Sequence, residues 1–196
     1  MIILAVLISR YSCSNDDNNV TIPISDPDTT VNSIPCKNGM AGEYPCAGYD
    51  FVARIPLSTM QANSGNDSWG WTDPTTEKEY AIMGLNNGTA FIDISIPDTP
   101  IYLGKLPTAT TNSSWRDIKV YQNHAFIVSE ADDHGMQVFD LTRLRNVSNP
   151  PQTFTSNTRY TEFGNAHNIV INEDSGYAYI VGAQRNTGHI MEARYL

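Results

Sequence analysis

Positive charge is scarce in this chain. Lys and Arg total 12 against 21 Asp and Glu, a formal net charge of −9, and no basic run appears anywhere. Nucleic-acid binding needs clustered cations to neutralise phosphates, so that class of partner is excluded. Long apolar runs are also missing. The longest, Met1 to Ser9 (MIILAVLIS), falls well short of the roughly 20 residues that span a bilayer. No 3.6-residue hydrophobic period runs through the middle of the chain, which argues against long helices there. Gly-x-Ser-x-Gly elbows, His-Glu-x-x-His pairs and phosphate-binding glycine loops do not occur. A Ser/His/Asp triad is spatial rather than sequential, so these absences leave one open.

What is present is a repeat. Asn87 to Pro100, NGTAFIDISIPDTP, reads as one β-strand and its turn. The design returns at Gly135-Met-Gln-Val-Phe-Asp140-Leu-Thr142, ahead of Pro150 and Pro151, which places Asp93 and Asp140 47 residues apart. Tyr80-Ala-Ile-Met-Gly84, His124-Ala-Phe-Ile-Val128 and Tyr177-Ala-Tyr-Ile-Val181 form a second recurrent series that fixes the register. Periods of roughly 40–50 residues with several short strands per unit point to a propeller or array. In the first unit, strands are expected at Trp69 to Trp71, Glu79 to Met83, Gly88 to Asp93 and Ile101 to Lys105. The second unit offers Trp115 to Tyr121, His124 to Ser129, Gly135 to Leu141 and a short fourth strand at Gln152 to Thr155. Four strands per unit is the composition of a propeller blade. The third opens at Ala166 to Ile171 and Tyr177 to Gly182, then loses the pattern, with Ala193 in the place of Asp93 and Asp140. The expected fold is therefore all-β: a β-propeller of four-stranded blades, here an incomplete set of about two and a half.

The N-terminal part reads as an address. Residues 1–13 have the size of a signal-peptide core followed by Cys13, and the small residue before that cysteine resembles a bacterial lipobox, although Arg10 and Tyr11 depart from it. Lipidation of Cys13 is the expectation, with a plain secretory signal as the alternative. Residues 14–34 are poor in large apolar groups and read as a flexible tether. Residues 35–65 hold a cysteine loop and a lead-in strand at Tyr49 to Leu57. Cys36 and Cys46 flank Gly39, Gly42 and Pro45, which let the chain double back, so a disulfide in an oxidising compartment is expected. A zinc site is the rival, but two thiols without nearby His make a poor one. Residues 66–196 are the partial propeller, with 182–196 divergent.

Several motifs agree in order and spacing with a known family. Gly-x-x-x-Ile/Val-x-Asp-Ile/Leu-Ser/Thr with downstream prolines resembles the LVIVD repeat. Gly65-Asn-Asp-Ser-Trp-Gly-Trp-Thr-Asp73, Ser114-Trp-Arg-Asp-Ile-Lys119, His134-Gly-Met-Gln-Val-Phe-Asp-Leu-Thr142 and Gly164-Asn-Ala-His-Asn168 look like the choice-of-anchor B family of extracellular and surface-attached bacterial proteins. The resemblance covers about Pro35 to Gly182. It implies a propeller-like fold at the cell surface, by lipid anchor or otherwise secreted, and it carries no reaction or catalytic residues.

In a propeller the first strand of each blade lines the central channel. Aligning first strands sets Asp67-Ser68-Trp69 beside Arg116-Asp117-Ile118 and His167-Asn168-Ile169. Asp67, Arg116, Asp117, His167 and Asn168 are then the polar ring expected at one mouth, suited to a polar or charged ligand or to pairing between blades. Trp69 and Trp115 can stack a sugar or peptide, or fill core. Glu130-Ala-Asp-Asp-His134 lacks the spaced ligands of a calcium loop and reads as a solvated acidic turn. No cofactor or metal is expected. The function expected is a non-catalytic, surface-anchored module binding protein or glycan. The alternatives are a hydrolase-like site at His167, Asp117 and Arg116, and a purely structural surface protein.

Overall fold

A computed structural model describes residues 33–185 and 188–195, the backbone alone from Arg185 onward. The signal peptide and lipobox expected at 1–13, with Cys13, and nearly all of the 14–34 tether lie outside the described residues. The described chain is all-β, in several small sheets with no closed barrel among them.

The lead-in begins with a two-residue hairpin, β1 (Met40–Ala41) against β2 (Tyr44–Pro45), inside the loop closed by the Cys36–Cys46 disulfide. A strand from Tyr49 to Leu57 does not form. Only Phe51 makes a β-bridge, to Ile34. Further along this segment, Ile55 and Leu57 spend their side chains packing on the first large sheet.

That first sheet is an antiparallel meander of β3 (Gly65–Thr72), β4 (Glu79–Leu85), β5 (Gly88–Asp93) and β6 (Ile101–Pro107). The second runs β7 (Arg116–Tyr121), β8 (His124–Ser129) and β9 (Met136–Asp140), followed by a 3₁₀ helix at Leu141–Asn146. Its fourth strand is not at Gln152 to Thr155. Instead β10 (Gln152–Thr153) crosses back and pairs parallel with β6 of the first sheet, and β11 (Thr158–Tyr160) completes the second. Two residues explain the crossing. Phe154 is buried between the sheets against Phe91 and Phe139. Gly104 has φ +139°, and a Cβ there would lie 2.0 Å from the Gln152 carbonyl oxygen, so only glycine lets β10 approach.

The third sheet is β12 (Asn168–Asn172), β13 (Tyr177–Arg185) and β14 (Gly188–Tyr195). The divergent tail thus supplies a strand. Asp93 lies opposite Tyr80 and Asp140 opposite His124, and the residue opposite the corresponding Tyr177 is Tyr195, not Ala193. A register shift around Gly182, whose φ is +65°, lengthens β13 and moves the count.

The repeated Asp has a local task. Asp93 Oδ1 accepts hydrogen bonds from the Ser95 amide (3.0 Å) and hydroxyl (2.6 Å), and Asp140 Oδ1 accepts the same pair from Thr142 (2.9 and 2.7 Å). The Asp-x-Ser/Thr of each unit is therefore a turn fastener at the strand's end.

Two cores join the sheets in sequence order. Tyr80, Ile82, Phe91 and Leu106 of the first sheet meet Ile118, Ala125, Ile127 and Phe139 of the second. The second sheet's opposite face, Phe126, Val128 and Met136, meets Ile169, Ala178 and Ile180 of the third. Alternation along β8 sends Ala125 and Ile127 one way and Phe126 and Val128 the other. The first strands β3, β7 and β12 lie beside one another.

Candidate polar cleft at the first strands

The cleft is built by a relay between neighbouring first strands. Asn66 Oδ1 accepts the Arg116 amide (3.0 Å), and Asp67 Oδ2 accepts the Ile118 amide (2.8 Å). One sheet further on, Asp117 Oδ2 accepts the Ile169 amide (2.7 Å) and the Asn168 side-chain amide (3.2 Å). Each carboxylate thus satisfies a first-strand N–H on the edge of its sheet where no further strand pairs. The register shows which residues correspond: Ser68 pairs Met83, Ile118 pairs Ile127 and Ile169 pairs Ile180. Asp67, Asp117 and Asn168 therefore share one position, with Arg116 and His167 just before it. The alignment read from sequence was one residue off in the first unit. A register shift between Gly65 and Ser68 caused it, with Asp67 in the left-handed region at φ 62°.

Around this relay lies a cleft of about 190 Å³ lined by Asn66, Asp67, Trp115, Arg116, Asp117, His167 and Asn168. All five residues of the expected polar ring are among its walls, as is Trp115, one of the two tryptophans expected to stack a ligand or fill core. Trp69 is not. It stands outside, and the Lys119 ammonium sits 4.5 Å from its ring centroid, within cation–π range.

The charges of the cleft are largely engaged with one another. Lys119 Nζ donates to Asp117 Oδ1 (2.5 Å) and to the Ile118 carbonyl. Burial alone would raise the Asp117 carboxyl, but Lys119 and the Ile169 amide outweigh it and hold its pKa down. Asp67 goes the other way, pushed up by burial and by the Asp117 carboxylate beside it, against the pull of the Ile118 amide. His167 Nδ1 contacts Glu130 Oε1, and its ring lies 6.1 Å from that of Trp115, which is 53% exposed.

Arg116 is a different case, at 3% exposure. Its Nε donates to the Leu85 carbonyl (2.7 Å) and its Nη1 to His134 Nε2 (3.0 Å). Because arginine cannot accept, His134 takes that bond on a bare Nε2 and donates Nδ1–H to the Gly135 carbonyl (3.0 Å). Burial, with Arg116 and Arg159 nearby, lowers the His134 pKa to about 4, and burial lowers that of Arg116 to about 10. Two of the guanidinium nitrogens thus serve the junction between the sheets, while Nη2 has no hydrogen-bond partner and the residue still lines the cleft.

The reading of Glu130 to His134 as a solvated acidic turn holds for the exposed Glu130, Asp132 and Asp133 and fails for His134. That histidine is wholly buried, while Glu130 reaches across to the third sheet. Among the described residues, no three His, Cys, Asp or Glu are grouped to hold a metal ion. Sequence reasoning also missed Asn66, and it missed the ion pair of Arg145 with Asp73. Arg145 Nε and Nη2 each lie 2.6 Å from a carboxylate oxygen of Asp73, whose pKa falls well below the usual range, first through that contact. Asp73 follows β3 and Arg145 lies in the 3₁₀ helix, 72 residues apart, so no local pattern could have paired them.

Comparison with known proteins yields no match to any family model, curated protein or solved structure.

Proposed function

We propose that this chain is a non-catalytic, extracytoplasmic binding module attached to the cell surface. Its three meanders are successive blades of a β-propeller of the LVIVD-repeat, choice-of-anchor B type, and its ligand is a protein or glycan met at the first-strand cleft. Lipidation at Cys13 is the proposed means of attachment. Three sheets stacked in sequence order with first strands side by side support the fold reading, and the Cys36–Cys46 disulfide fits an oxidising compartment. No helix among the described residues is long and apolar enough to cross a membrane.

One observation carries the functional reading. Residues from three different sheets converge on one cleft beside an exposed tryptophan, yet their charges are engaged with backbone amides and with each other. That suits holding a polar ligand against Trp115 and leaves little for activating a nucleophile. The hydrolase-like alternative is favoured by the His167–Glu130 contact, a histidine oriented by a carboxylate. It is weakened by Asp117 and Arg116, which are both committed to structure.

Arrays of glycans and of extracellular-matrix peptides, probed with the wild-type chain and with Trp115→Ala, test the reading. Binding that Trp115→Ala abolishes is the expected result. Turnover of ester, peptide or glycoside substrates that His167→Ala removes would replace it with the enzyme.

A further inference from the structure

The cleft beside Trp115 has an uneven charge balance. Asp67, Asp117 and, through its contact with His167, Glu130 bring three carboxylates to it. Two cations answer them. Lys119 is held between Asp117, at 2.5 Å, and the Trp69 ring. Arg116 is 3% exposed and bonded to the Leu85 carbonyl and to His134. Asp67 is in no ion pair among the described residues. Its Oδ2 accepts the Ile118 amide, while burial and the neighbouring Asp117 carboxylate push its pKa up. A cation arriving beside Asp67 offsets both costs.

Trp115 supplies the apolar half of the cleft. It is 53% exposed, and an indole face attracts a cation that comes within about 6 Å of its centroid. The chain already uses this combination once, because Lys119 lies 4.5 Å from the Trp69 ring centroid with the Asp117 carboxylate beside it. At about 190 Å³ the cleft is smaller than the roughly 300–1,000 Å³ of a site that encloses a whole small molecule. It fits one side chain projecting from a larger partner. Arg116, a buried residue of its wall, keeps Nη2 without a hydrogen-bond partner. A main-chain carbonyl next to the entering side chain is the acceptor this nitrogen lacks. A glycan hydroxyl also accepts, but an uncharged sugar brings no cation to Asp67.

We propose that the cleft takes a basic side chain of a partner protein, an arginine or lysine laid on the Trp115 indole with its charged head at the Asp67 carboxylate. This rests on the reading of the chain as a binding module and deepens it by choosing protein over glycan. The net charge of −9 draws such a partner in from a distance and turns an acidic one away.

The probes are capped pentapeptides Gly-Gly-X-Gly-Gly, with arginine, lysine, citrulline or glutamate at X, titrated into the full chain. The indole N–H resonance of Trp115, assigned by its loss in Trp115→Phe, reports binding. The arginine and lysine peptides are expected to shift it saturably, and to bind less tightly in added salt. Citrulline keeps the shape of arginine without the charge and is expected to bind about tenfold or more weakly. Asp67→Asn is expected to weaken the arginine peptide by a similar factor at an unchanged melting temperature. Asparagine tolerates the left-handed backbone at this position and still caps the Ile118 amide. Citrulline that binds as tightly as arginine overturns the proposal without any variant, and so does an arginine peptide indifferent to folded Asp67→Asn. A glycan or uncharged peptide that binds through Trp115 while the arginine peptide is silent overturns the basic side chain and leaves the binding module standing. Silence of every peptide and glycan overturns both.

Discussion

The junction of the first and second sheets and that of the second and third use the same backbone device with different fillings. In both, a carboxylate on one first strand caps an isoleucine amide on the next. Aromatic rings then fill the first junction, where Phe91 stacks on Phe139 with centroids 4.5 Å apart and Phe154 meets both edge-on. The second mixes Val128, Ala166, Ala178 and Ala183 with Phe126, Met136, Phe163, Ile169 and Ile180. Just before the capping position, the first junction buries Arg116 against His134, while the second leaves His167 exposed against Glu130. Equivalent positions in a repeat thus share backbone geometry and still diverge in chemistry. The first junction buries its arginine and histidine, and the second leaves His167 exposed at the cleft.

The largest expected effect comes from emptying the aromatic junction. Phe91→Ala removes a fully buried ring with two ring partners and is expected to cost about 3–5 kcal/mol, read as a fall in the denaturant midpoint. Val128→Ala at the second junction removes fewer buried atoms and is expected to cost clearly less. Equal losses would erase the contrast between the two cores.

The buried histidine gives the first junction a pH dependence of its own. The unfolded chain takes up a proton at His134 below about 6.5, whereas the folded chain does so only near 4. Stability from this group is therefore full above pH 6.5 and is lost as pH falls toward 4. The total is roughly 3 kcal/mol at 1.36 kcal/mol per pH unit of separation. Unfolding measured between pH 7 and pH 4 is expected to show this slope in the wild type and to lose it in His134→Gln. A slope that survives the substitution would place the titrating group elsewhere.

The caps separate the junctions by a smaller margin. Asp117→Ala strands the buried Ile169 amide and is expected to cost ~1–3 kcal/mol. Asp67→Ala is expected to cost less, because the Ile118 amide retains Asp117 Oδ1 at 3.0 Å as an acceptor. The reverse order would show that the relay is not shared between the two positions. Smallest of all in stability is Trp115→Ala, an exposed site expected within about 0.5 kcal/mol of wild type. Its loss is expected to fall on ligand binding instead.

Strand positions were largely legible because alternation and turn residues are local signals: Gly88 to Asp93 and His124 to Ser129 stand where the pattern puts them. The five polar cleft residues were legible because a repeat carries equivalent positions to equivalent places, although the bulge before Ser68 put the first unit one residue out of line. Long-range choices were not. Nothing near Gln152 says that it will pair with Gly104 of the other sheet, and nothing near Asp73 announces Arg145.

By itself, then, the sequence determined the strands, their repeat and the turn-fastening role of Asp93 and Asp140, because each depends on neighbours within a few residues. Only the tertiary structure decided that Arg116 and His134 are buried together, that Trp69 stands apart from the cleft, and that β10 leaves its own sheet. Those outcomes depend on which sheet faces cover which residues. Burial and charge pairing are set by groups tens of residues away, and a one-residue shift around Asp67 or Gly182 is enough to change them.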